Sequence, residues 1–363
     1  MTALKSPPET ASSATCRPSS GQPASPSTTT GSAPPLPTNE RGFLFSPAVD
    51  LLFIANLFWP LLLLVDIAGG ITTHQSLLFW QIYFITAPHR WITLILVAAD
   101  HQKYADRKWT FMGFTLVVVA ACLCLRLGSG SLICLGAIDY LWNAWHFASQ
   151  HHGIFRIYER RSTSSSDARI VRLEKLAFRG FLLYVIARVA GWGWPDGGLG
   201  GQTIAAWLDP AVLVVPGLFI IRQAVRWMRR PRDGFPSFAY LTSMLTLFVA
   251  MLAAAHWQQS QLVIQLALAS AVFHSLEYMS IVTWSVQKSK STARLFNAMA
   301  RTWLLFLLVF VVVIGAGNYL VSRGWFEFWV LINLMVAFLH YGFDGMIWKA
   351  PRQRPAVAGS GAS

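Results

Sequence analysis

Ten stretches of this chain are apolar over lengths that match a lipid bilayer. They run over 47–69, 76–100, 109–127, 131–157, 172–192, 205–226, 236–256, 260–285, 299–321 and 325–348. About twenty residues rising ~1.5 Å each cross the ~30 Å hydrocarbon core as a helix. The pattern therefore predicts an all-α fold, a polytopic transmembrane helix bundle of about ten spans occupying 43–350. Arg179 and Arg188 interrupt the fifth stretch, and Pro210 and Pro216 the sixth. Residues 1–42 are rich in Ser, Thr, Pro and Ala, with few large apolar side chains. Such a segment buries too little surface to order itself, so a disordered N-terminal tail is expected, with a short disordered tail at 351–363. The N-terminal tail lacks the charged-then-apolar pattern of a cleaved secretory signal.

Composition agrees with the pattern. Hydrophobic residues make up 54% and charged residues only 12%, where a soluble protein carries about 25% charge. A net charge of +13 would suggest nucleic acid in a soluble domain. Here the positive charge lies in short loops between apolar stretches, so a nucleic-acid partner is rejected. With both termini on one side, every Lys and Arg except Arg90, Arg126, Arg188 and Arg323 falls on that side. The positive-inside rule then makes both termini cytoplasmic, in an integral multi-pass protein of the plasma (inner) membrane. Trp109, Trp227, Trp284 and Trp348 fall at the inner ends, as an interfacial belt would. The arginine-rich loop at 156–179 suits anionic lipid. Cys16, Cys122, Cys124 and Cys134 form no CxxC pair and read as apolar thiols, not as a metal site.

Against this background the polar residues inside the spans stand out, because such groups are costly at membrane depth unless they are paired and used. The fourth span carries Asp139, Asn143, His146 and Gln150 at helical spacing, then His151 and His152. The second carries His89 with Thr86, Thr93 and Asp100 on one face. The eighth carries His274, Glu277 and Tyr278; the tenth carries Asn333, His340 and Asp344. All four spans are even-numbered and run in the same direction. Each histidine lies slightly to the inner side of its span's midpoint, so four imidazoles at one depth converge if these helices are neighbours. Neutral imidazole is cheaper to bury than a charge and ligates iron, copper and zinc. The candidate metal ligands are therefore His89, His146, His274 and His340. Glu277, Tyr278 and Asp344 are the candidates for chemistry beside them. His151, His152, Asp139 and Gln150 are candidates to extend the ligand set or to orient it. Pro88 is expected to break the second helix beside His89. Arg90 needs a counter-ion, for which Asp139, Glu277 and Asp344 are available. A single intramembrane histidine is more often an interhelical hydrogen-bond partner than a ligand; four at one depth favour a metal or haem. His74, His101 and His256 lie at span ends and read as interfacial.

The clusters PHR at 88–90, WHFASQHHG at 145–153, FHSLEY at 273–278 and LHYGFD at 339–344 resemble the ordered histidine clusters of the Brp/Blh family. Members of that family are multi-span membrane enzymes that cleave beta-carotene to retinal with iron and oxygen. The resemblance implies that His89, His146 and His274 occupy iron-ligand positions. Arg90 stands where the family has Gly, and Tyr278 where it carries a second histidine. The leading expectation is a non-haem iron (Fe2+) oxygenase acting with O2 on a carotenoid or other isoprenoid, an apolar lipid-like substrate taken from the membrane lipids. Other classes are a haem-binding electron carrier or haem-handling protein, and a transporter with a His/carboxylate proton relay. The HxxxxHH spacing of His146, His151 and His152 also suggests a di-iron desaturase or hydroxylase.

Overall fold

The computed structural model describes residues 42–100, 104–162, 167–195, 201–289 and 291–348. The two expected tails, apart from Gly42, lie outside these residues, as does His101. The described residues are helical and contain no strand. In chain order the helices are α1 (Pro47–Val49), α2 (Trp59–Trp80), α3 (Ala87–Ala99), α4 (Lys108–Ser129), α5 (Ile133–Ser162), α6 (Ala168–Val189) and α7 (Gln202–Val212). They continue with α8 (Val214–Arg229), α9 (Pro231–His256), α10 (Ser260–Lys288), α11 (Arg294–Arg301), α12 (Trp303–Gly324) and α13 (Phe326–Ile347). Among the described residues, seven helical stretches are long and apolar enough to cross a membrane: Trp59–Ala99, Ala105–Ser129, Gln202–Arg229, Pro231–His256, Ser260–Lys288, Trp303–Gly324 and Phe326–Ile347. The long helices α5 and α6 are more polar and fall outside that set.

The N-terminal stretch departs from the expected single span at 47–69. Ser46 caps α1, which runs into a π-helical turn, Asp50–Ile54. The helix stops at Asn56, a non-glycine residue at φ 45°. Its side-chain amide donates to the carbonyls of Phe53, Ile54 and Phe273, which ties the break to α10. Buried Asp50 accepts from the backbone N–H groups of Leu44 and Phe45 and from the Tyr158 hydroxyl of α5. A second break falls at Gly70, where φ 68° and ψ −161° suit glycine alone. The His74 ring nitrogen and the buried Asp66 carboxylate meet across it at 2.9 Å.

Pro88 does not break its helix. It sits in the first turn of α3, directly after a π-helical turn over Gln81–Thr86. Proline removes an N–H donor, and the wider turn re-pairs the backbone so that Ala87 N–H reaches the Ile82 carbonyl. Single π turns of this kind are common at functional sites.

Packing is graded. Two-thirds of α9 and α10 is buried, whereas most of α4 and α12 faces outward. The outer face of α12 presents Leu304, Leu305, Leu308, Val309, Val312 and Val313, a surface that lipid satisfies and water does not. Three apolar clusters fill the interior: a large one centred on α5, α6, α9 and α10, a second on α3, α10 and α12, and a third on α4 and α13. Helices α3, α5, α10 and α13 run between these clusters. They are the four that carry the polar residues singled out in the sequence.

Candidate metal centre

The four predicted histidines meet. Ring centres are 5.3 Å apart for His89 and His274, 5.4 Å for His274 and His146, 4.8 Å for His146 and His340, and 5.0 Å for His340 and His89. The series closes on itself, one imidazole from each of four helices, and every adjacent pair is edge-to-face. All four side chains are buried. Imidazoles that share one ion at about 2.1 Å have ring centres roughly 4.6–5.3 Å apart. The observed spacing fits that requirement with little movement.

The hydrogen bonds determine which nitrogens are available. The Thr86 carbonyl lies 2.6 Å from His89 Nδ1 and only accepts, so Nδ1 carries the proton and Nε2 keeps a lone pair. The Ser275 hydroxyl adds a contact to the same Nδ1 at 3.2 Å. His340 Nδ1 is 2.8 Å from the Thr93 hydroxyl, which is 2.6 Å from the Tyr278 hydroxyl, which donates to Asp344 Oδ1 at 2.6 Å. With one proton per bond, His340 donates to Thr93, Thr93 to Tyr278 and Tyr278 to Asp344. His340 Nε2 is then bare. Neither His340 Nε2 nor His146 Nε2 has a hydrogen-bond partner, and His274 has none at either nitrogen. A buried polar atom without a partner costs about 1–3 kcal/mol. Four such nitrogens on three neighbouring rings are an unmet demand that a cation would satisfy.

Two carboxylates flank the ring. Asp344 Oδ2 is 3.9 Å from His340 Nε2 and 4.0 Å from His146 Nε2. Glu277 Oε1 is 4.0 Å from His274 Nδ1 and 2.9 Å from His151 Nδ1. Glu277 also accepts from Gln150 Nε2 and from the Tyr240 hydroxyl, each at 2.9 Å. Two buried groups, His146–His340–Asp344 and His151–His274–Glu277, therefore have ligand atoms close enough to hold a metal ion, and His89 lies beside them without joining either.

The remaining predicted residues divide. Gln150 joins the site, bonding both Glu277 and the His274 carbonyl. His151 and His152 point apart: His151 enters the site, while the His152 ring packs against Phe178. Asp139 meets no histidine among the described residues. It accepts from the Tyr341 hydroxyl at 3.0 Å, and the Tyr341 ring packs on His146. Asp100 bonds Ser291, away from the ring. Arg90 makes no ion pair with a carboxylate among the described residues, and its Nε has no hydrogen-bond partner. Asn333 bonds Asn318 of α12 and takes no part in the site. Tyr240 and Ser275 were not singled out from the sequence. Tyr240 lies on α9, where Ser237, Tyr240 and Ser243 recur every third residue, a polar signal weaker than the histidines.

The hydroxyl of Tyr278 holds two partners at once, which makes Tyr278→Phe informative. The variant is expected to lose about 1–3 kcal/mol of stability. Its metal affinity is expected to fall ~10–100-fold, the usual cost of removing a group that orients a ligand. Competition with a chelator measures this, and unchanged affinity would remove the Tyr278–Asp344 pair from any role at the metal.

No family model matches the chain, and no curated protein or solved structure matches it either.

Proposed function

We propose that this protein is a membrane-embedded non-haem iron oxygenase acting on a carotenoid or other apolar isoprenoid. The observation that carries the reading is the closed ring of His89, His146, His274 and His340 in the bundle core, three of which have ring nitrogens without hydrogen-bond partners. Neutral imidazole ligands suit Fe2+. When bound, iron supplies O2 activation. Asp344 and Glu277 provide negative charge beside a cation that neutral ligands leave uncompensated. Thr93 and Tyr278 fix the ring of His340, and Thr86 and Ser275 fix that of His89. Addition of both atoms of O2 across a carbon–carbon double bond yields two carbonyls and consumes no external reductant. The reaction therefore needs only the substrate, O2 and the site.

The resemblance to the Brp/Blh clusters supports a polyene substrate. So does the leucine- and valine-rich exterior, which keeps the bundle in contact with the membrane lipids that dissolve such a molecule. The proposed topology has ten passes with both termini cytoplasmic in the plasma (inner) membrane. The break at Gly70 separates the first pass, 47–69, from the second, and the more polar helices α5 and α6 supply two more. The ring spacing favours a bare ion over haem. Two axial imidazoles must lie on opposite faces of a porphyrin, whereas these four rings are edge-to-face neighbours with the Thr93 and Tyr278 hydroxyls among them.

Elemental analysis and an absorption spectrum of the detergent-purified protein test this reading. At least about one iron per chain without a Soret band, followed by O2-dependent bleaching in a carotenoid panel, is the expected result. A Soret band would replace iron by haem. Folded protein that takes up neither would return the histidines to helix packing.

A further inference from the structure

We infer that the site holds two metal ions and that His274 lies between them. The inference rests on the metal reading above and extends it. A single ion inside the ring of four leaves three features unexplained.

The first is His274 itself. Both of its ring nitrogens are buried and without a partner. A single ion takes one nitrogen and leaves the other orphaned, because Glu277 Oε1, at 4.0 Å from Nδ1, is beyond hydrogen-bond reach. The second is His151. It is 1% exposed. Its Nδ1 lies against Glu277 at 2.9 Å and Tyr240 at 3.1 Å. The third is Glu277, a carboxylate with no exposed surface whose only cationic neighbours among the described residues would be protonated histidines. A cation coordinated by His151, His274 and Glu277 resolves all three. It satisfies the second nitrogen of His274, gives the His151–Glu277 pair a positive partner, and balances a buried negative charge.

The two halves of the site are built alike. Each has histidines beside one carboxylate, and each carboxylate accepts from a tyrosine on a packed helix. Tyr278 serves Asp344, and Tyr240 serves Glu277. One ion is assigned to His89, His146, His340 and Asp344, the other to His151 and Glu277, with one nitrogen of His274 offered to each. Loading both ions releases the remaining ring proton of His274 to solvent, as ligation of a titratable group does in general.

The test is a metal count on the full-length protein in detergent, loaded anaerobically with Fe2+ alone and freed of excess by gel filtration. Wild-type protein is expected to retain two irons per chain, and His151→Ala to retain one. One iron in the wild type, or two in folded His151→Ala, would overturn the second site while leaving the first. No iron in folded wild-type protein would overturn the metal reading beneath both. A titration of the wild type with Co2+, followed by visible absorption, needs no variant. A break at two equivalents supports the pair of sites, and saturation at one equivalent refutes it.

Discussion

His146→Ala is expected to lose bound iron and O2-dependent product formation together while the protein still elutes as a folded species. His146 is suited to this test because, among the described residues, it makes no ion pair closer than 4.0 Å. Its Nε2 has no hydrogen-bond partner, and its ring packs against His274, His340 and Tyr341 beside the Gln150 side chain. Truncation leaves a gap and no newly stranded charge. Helix α5 remains anchored by the buried core around Ala148, Phe155 and Tyr158. Loss of a group that only orients a ligand weakens metal binding ~10–100-fold, so loss of a direct ligand should exceed about 100-fold. Metal analysis, gel filtration and oxygen uptake on one preparation separate the outcomes. Full iron content with full turnover would remove His146 from the metal.

That the four histidines meet was legible because depth is a one-dimensional quantity. Residues at matched positions on parallel apolar helices lie at one level, and a buried imidazole needs a neighbour. What the chain pattern does not encode is which side of each helix faces which partner. His151 and His152 are adjacent, so on a helix one enters the site and the other turns away. The choice depends on Glu277 of α10 and Tyr240 of α9, distant in sequence. Asp139 shares the stripe of His146 and Gln150, yet Tyr341 of α13 reaches it first. Backbone details were also hidden. Pro88 reads as a break but is absorbed by the π turn before it, and Asn56 lies within the expected first span but ends a helix, donating to two of its last carbonyls and to Phe273 of α10.

The largest expected loss of stability lies away from the histidines, at Arg188, which from sequence alone looks like a flaw in the fifth apolar stretch. Its guanidinium is almost wholly buried, and Nε and Nη2 both bond the equally buried Asp209 carboxylate at 2.9–3.2 Å. Asp209 also accepts from the Tyr184 hydroxyl at 2.7 Å and lies 2.9 Å from the His256 ring. One carboxylate on α7 thus gathers α6 and α9, and Arg188 adds contacts to the carbonyls of Trp192 and Ala255. Asp209→Ala leaves a buried guanidinium without its counter-charge, for which the usual cost is about 3–5 kcal/mol. The double variant Arg188→Met/Asp209→Leu removes both charges and is expected to recover most of that loss, because the cost comes from an unpaired charge in a low-dielectric interior. Thermal unfolding in a fixed detergent compares the three proteins. Iron content should remain unchanged in the double variant, since neither residue touches the histidine ring. If Asp209→Ala were as stable as the wild type, the pair would not be the clamp that holds α7 against α6 and α9.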